Sequence, residues 1–208
     1  MGCNTNLGIV LLAAPLILAF EERGANESLH QAVRQVLLDT TVADAEWVYR
    51  AIRLAQPGGL GEAPEQDVHD APEVTLLEAM RLAGHRDSIA RQYTDCFVDI
   101  FHFAIPLYHA RLSQWDSEKW ATVAVFTGLL RKFPDSHVER KFGAKHNRWI
   151  AGRMAQIEEA LSGFEPPLKV MRLLREVDTD FKSRGINPGT TADLTVACLL
   201  AARLNVAE

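Results

Sequence analysis

The sequence is poor in the features that mark several protein classes. Its 208 residues include three cysteines, Cys3, Cys96 and Cys198, lying far apart with no C-x-x-C pair or H-x-x-x-H spacing. That excludes a disulfide scaffold, argues against a structural zinc site and fits a reducing compartment. The longest apolar stretch, Leu7 to Phe20, is 14 residues long and contains Pro15, whereas a membrane span needs about 20. It has neither the basic lead-in nor the small-residue cleavage site of a signal peptide. Gly2-Cys3 invites lipidation, but Asn6 stands where myristoylation requires Ser or Thr. Basic charge is scarce: 22 Lys and Arg face 27 Asp and Glu, a formal net charge of −5. Such a chain has no global attraction for nucleic acid or anionic lipid, so any polyanion needs a local site. The expectation is a cytoplasmic protein that binds neither nucleic acid nor membrane.

What is present is ordinary globular material, 48% apolar and 24% charged. At this length folding buries about 70% of the unfolded chain's surface, enough for one core. No segment alternates as a strand, and the periodicity is helical throughout. Leu29, Val33, Val36 and Leu37 share one face of a helix over about 27–39. A second helix starts near Thr41 and stops at Pro57-Gly58-Gly59. An acidic, glycine-bearing loop then runs from Gln56 to Glu73, a length that usually signals function. Thr75 and Glu78 form a capping-box pattern. Ile89 to Ala104 reads as one buried face ending before Pro106, and Ser117 to Phe133 as the next helix. Ser136 and Glu139 read as another capping box, opening a helix that continues to about Leu161. Leu168 to Ser183 and a last helix after Asn187-Pro188-Gly189 complete an all-α, single-domain multi-helix bundle. Trp47, Trp115, Trp120 and Trp149 sit at core spacings.

Glycine and polar residues cluster at several helix starts, where free N–H groups and the positive dipole end attract phosphate. Acidic residues beside such loops can hold Mg²⁺, which neutralises phosphates. Each cluster also has a plain structural reading. Thr190 with Asp193 fits a capping box, and Ser136 fits a simple cap. Glu62, Glu65, Asp67 and Asp70 fit a solvated acidic loop. Arg140, Lys141, Lys145 and Arg148 fit either a polyphosphate grip or a solvated basic face.

Taken together, the segments carry more. Asn4-Thr5-x-x-Gly8, then Gly58-x-x-Gly61-Glu62-Ala63, then Asp135-Ser136-His137-Val138 with Lys141 and Gly143, then Asn187-Pro188-Gly189-Thr190-Thr191-Ala192-Asp193-Leu194 occur in one order along the chain. In this the sequence resembles the triphosphoribosyl-dephospho-CoA synthase family, over residues 1–208. The resemblance implies an all-α transferase that uses ATP, with Mg²⁺, and 3′-dephospho-CoA. It joins the triphosphoribosyl group to the acceptor ribose and releases adenine. It further implies Glu62, Asp135 and Asp193 as catalytic carboxylates, with Asp135 and Asp193 holding the metal and Glu62 near the ribose. Asn4, Thr5, Gly8, Gly61, Lys141, Gly143, Asn187 and Gly189 are implied as nucleotide-binding, Lys141 on phosphate.

Departures from the family pattern mark a divergent branch. Asn6-Leu7 stands for His-Lys, His137 and Lys141 for Asn and Arg, and Asn187 with Thr190 and Thr191 for Ser, Gly and Ser. Neither the family's preceding K-P-G segment nor its His-x-Asp-Met segment is found, so the chain reads as short at its N-terminus. The Leu7–Phe20 helix is then expected to show an apolar face available for self-association. The alternatives are a paralogous transferase for another coenzyme precursor, as in tetrahydromethanopterin-linked one-carbon metabolism, or a non-catalytic helical nucleotide-binding or interaction protein.

Overall fold

The computed structural model describes residues 6–56, 65–162 and 168–205. Asn4, Thr5, Gly61 and Glu62, with the motif positions Gly58 and Ala63, lie outside them. Among the described residues every regular element is helical. In chain order they are α1 (Leu7–Glu22), α2 (Leu29–Leu38), α3 (Val42–Ala55), α4 (Leu76–Ala83) and α5 (Ser88–Thr94). A π-helical segment (Asp99–Ala104) then leads into α6 (Ile105–Trp115), followed by α7 (Glu118–Lys132) and α8 (Ser136–Phe142). A 3₁₀ turn (Gly143–His146), α9 (Asn147–Leu161), α10 (Leu168–Ser183) and α11 (Gly189–Asn205) complete the order. None of these helices is long and apolar enough to cross a membrane.

Local chemistry explains the helix starts. The Thr75–Glu78 capping box forms as the sequence implies, and Ser28–Gln31 and Thr41–Asp44 form two more. Each satisfies backbone donors that the first helical turn leaves free.

Packing accounts for the buried face of α1, while its Val10, Ile17 and Leu18 stay exposed. Helix α1 buries Leu12, Leu16 and Ala19 completely and packs against α2 and α11. Helix α7 separates two apolar clusters. Ala121, Val125 and Leu129 join the larger one with α1, α2 and α11. Ala124 and Leu130 face the smaller one, built on α9 and α10.

Four sequence expectations are corrected. The apolar run from Ile89 is not one helix, because Cys96 and Phe97 both adopt positive φ, 52° and 59°. That break lets Phe97 turn wholly inward. The next helix does not stop at Pro106. The π-helical hydrogen bonds carry the chain past it, since Pro106 sits at a helix start where its missing N–H costs little. The helix expected from Ser136 to Leu161 is divided at Gly143, whose φ of 61° and ψ of −160° suit glycine. Trp47 is not a core residue: it is 65% exposed and stacks under Arg50.

Candidate active site at converging helix starts

Residues at the starts of α5, α8 and α11 are tied to one another. Asp135, not Ser136, is the N-cap of α8: its Oδ1 accepts from the Val138 N–H at 3.0 Å. Its Oδ2 reaches across to α11 and accepts from the Thr191 N–H at 2.7 Å and the Thr191 hydroxyl at 2.8 Å. The expected Ser136–Glu139 box does not form, because both side chains are engaged elsewhere. Ser136 Oγ accepts from the Ser88 N–H at 3.2 Å and pairs with Thr190 Oγ1 at 3.1 Å. Glu139 accepts from Asn147 at 2.6 Å. Asp87 caps α5, its Oδ1 accepting from Ile89 and Ala90 N–H groups at 2.9 and 3.0 Å. Its second oxygen pairs with Arg140 of α8.

Asp193 lies one turn into α11. It makes no hydrogen bond with any described residue, so the Thr190–Asp193 capping box is not formed either. Its carboxyl rests on Gly8 of α1: a Cβ placed at Gly8 would lie 2.0 Å from Asp193 Oδ2 and 2.7 Å from Ile89 Cδ1. Only a residue without a Cβ allows that approach. Burial raises the Asp193 carboxyl from its ordinary value of 3.8 to about 6, and the charges of Asp135 and Asp87 add to the rise.

The structure therefore brings together Gly8, Asp135 and Asp193. Gly189 stands beside them as the first residue of α11, its N–H bonded to the Asn187 carbonyl at 2.8 Å. His137 lies against it, its Cγ 3.8 Å from where a Gly189 Cβ would be. Lys141 is placed differently: exposed, it donates to the Gly185 carbonyl at 3.1 Å, on the α10–α11 loop. Gly143 closes the far end of α8, and a Cβ placed there would meet nothing within 4 Å. Sequence reasoning missed Asp87 and Ser88, although Asp87 before Ser-Ile-Ala is an ordinary N-cap signal.

Asp135 also lines an open cleft of about 260 Å³, with Pro134, Leu130 and Ile150 as apolar wall and Arg131, Lys132 and Arg148 as basic rim.

The model for the ATP:dephospho-CoA triphosphoribosyl transferase (CitG) family matches residues 1–208. The chain belongs to that family. It is thereby a transferase of coenzyme biosynthesis, acting on ATP and dephospho-CoA. A crystal structure from Archaeoglobus fulgidus, provisionally described as a triphosphoribosyl-dephospho-CoA synthase, is similar. It shares 30% identity at a TM-score of 0.69, over 93% of this chain and 80% of that one. No curated protein sequence matches significantly.

The donors suit Mg²⁺ in the way nucleotide enzymes use it. No group of three or more His, Cys, Asp or Glu side chains forms a ready cation cage among the described residues. Mg²⁺ in such sites is commonly held by one or two carboxylates, the substrate phosphates and water. Asp193 offers a half-buried carboxyl that accepts no hydrogen bond from a described residue. Asp135 has given three acceptor positions to Val138 and Thr191, leaving about one of the four that a carboxylate offers.

Proposed function

We propose that triphosphoribosyl transfer takes place where Gly8, Asp135 and Asp193 meet. The observation that carries this is their convergence: motif segments lying more than fifty residues apart in sequence meet where Asp135 hydrogen-bonds Thr191 and Gly8 packs against the Asp193 carboxyl. In the reaction a ribose hydroxyl of 3′-dephospho-CoA attacks the anomeric carbon of ATP. The new C–O bond forms as the bond to the adenine nitrogen breaks, and the hydroxyl proton leaves by way of a base while adenine departs.

On this reading the chain's residues divide the work. Asp135 spends its carboxylate on joining α8 to α11, which holds Asp193 in place. Asp193 faces the substrate with the carboxyl least committed to the protein. Burial beside Asp135 and Asp87 raises its pKa to about 6, and a cation bound there would offset that crowding of negative charge. Gly8 lets the Asp193 carboxyl lie against the α1 backbone. The positive end of the α11 dipole adds potential for phosphate. Mg²⁺, held by Asp193 with Asp135, would anchor the triphosphate, which the reaction keeps intact. The basic cleft beside Asp135 is the adjacent space for an anionic coenzyme precursor.

The test is to incubate the protein with Mg-ATP and 3′-dephospho-CoA and measure free adenine by chromatography. Adenine release that requires dephospho-CoA is the expected result. ATP binding with no adenine release in the presence of any acceptor would sink the proposal and favour a non-catalytic binding protein.

A further inference from the structure

The basic side chain that the family pattern aligns with the phosphate is Lys141, but the fold does not bring it to the site. Neighbouring residues on a helix point about 100° apart, so Arg140 and Lys141 cannot both face the converging helix starts. Lys141 is exposed and turned to the Gly185 carbonyl. Arg140 faces the other way and pairs with Asp87, its side chain 23% exposed. Its Nε is buried and has no hydrogen-bond partner among the described residues. Asp87 caps α5, whose Ser88 binds Ser136 next to Asp135 and whose Ile89 lies against Gly8, so the Arg140–Asp87 pair stands beside the site.

Charge makes this position useful. Asp87, Asp135 and Asp193 would repel a triphosphate unless cations accompany it. Mg²⁺ supplies one source of compensation, and among the described residues Arg140 is the guanidinium paired into the cluster. Arg presents a planar fork of donors to phosphate, which Lys lacks. A guanidinium at residue 140 restores in space what Lys141 has lost in sequence. Asp87 uses one oxygen to cap α5 and the other to hold the fork, which keeps Arg140 oriented before substrate arrives.

We propose that Arg140, positioned by Asp87, is the side chain that contacts the triphosphate of ATP, in place of Lys141. This rests on the active-site location proposed above. Its test uses two readouts on the whole chain: calorimetric binding of inorganic tripolyphosphate with Mg²⁺, and KM for ATP against kcat in the adenine-release assay. Arg140→Gln is expected to weaken tripolyphosphate and raise KM for ATP by tenfold or more, with a smaller effect on kcat. Arg140→Lys keeps the charge and is expected to lose about threefold to tenfold. It decides the matter alone if Arg140→Gln does not fold. Lys141→Gln is expected to lose less than Arg140→Gln on both readouts, and Lys145→Gln, on the exposed basic run, to change neither. Unchanged binding and KM in Arg140→Lys and Arg140→Gln, or a larger loss in Lys141→Gln, would overturn the proposal, as would wild-type protein that binds no tripolyphosphate. Arg140-dependent tripolyphosphate binding without adenine release would leave the proposal standing and remove the transferase reading beneath it.

Discussion

The backbone of Gly8 in α1 touches the carboxylate of Asp193 in α11, so closely that a Cβ on Gly8 would sit 2.0 Å from Oδ2. One carboxyl group is thus pressed between two helices that are far apart in sequence. That contact makes the site and the core interdependent, because α1 and α11 also pack against each other as principal core helices.

Gly8→Ala forces either α1 or Asp193 to move. It is expected to destabilise the protein by about 1–3 kcal/mol, as overpacking of a filled site does, and to reduce adenine release more than tenfold. The double variant Gly8→Ala/Asp193→Ala removes the clashing carboxylate and is expected to regain part of the stability but none of the activity. Denaturant melts with parallel assays check both. A Gly8→Ala protein of wild-type stability would show that the contact is not tight.

The raised pKa of Asp193 has a consequence for stability. The folded state holds this proton up to about pH 6, whereas the unfolded chain releases it near 3.8. Stability from this group is therefore greatest below pH 3.8, falls as pH rises through that window, and is lowest above 6. Asp193→Asn is expected to match wild type near pH 4 and to exceed it at pH 7.5 by about 1 kcal/mol, a figure reduced for the partial exposure of the group. It should also abolish Mg-dependent nucleotide binding. Thermal melts at both pH values decide the sign.

Asp135→Asn keeps a competent cap on α8, since Asn caps helices as well as Asp, but weakens the charged acceptor for Thr191. A loss of about 1–3 kcal/mol is expected, in the range for a buried charge-assisted hydrogen bond. Activity measured at 15 °C, where the variant remains folded, should still fall at least tenfold. Full activity in a folded Asp135→Asn protein would confine Asp135 to a structural role.

Away from the site, Asp116 ends α6 with φ 47°, a conformation glycine adopts without strain, and it places negative charge at a helix C-terminus. Asp116→Gly is expected to stabilise by about 0.5–1 kcal/mol, or about 1–4 °C in Tm for a chain this long, with unchanged adenine release. Scanning calorimetry reads it directly.

Much of this fold was legible in one dimension. The 3.6-residue spacing of Leu29, Val33 and Leu37 and the Thr75–Glu78 pair mark helices and their starts because both depend on contacts within a turn or two of chain. The order of the glycine-bearing segments marked the family for the same reason: it is written along the chain. Where the reading failed, the deciding interaction was distant. Ser136 did not cap its own helix because Ser88 and Thr190 claimed its hydroxyl from elsewhere in the fold. The helix around Pro106 continued because a π-helical turn absorbed what would otherwise have been a break. Trp47 kept core spacing yet faced outward, since spacing defines a face of a helix but not what covers it.

The sequence by itself determined that this chain is helical, where most of its helices begin, and which family it belongs to, because those follow from local hydrogen bonding and from residue order. Only the tertiary structure decided which of the marked residues meet. It placed Gly8 under Asp193, joined Asp135 to Thr191, and paired Arg140 with Asp87 while turning Lys141 to the Gly185 carbonyl. The physical reason is that each of these outcomes depends on how helices distant in sequence rotate and press together to bury their apolar faces, and that rotation sets the direction of every polar side chain at their ends.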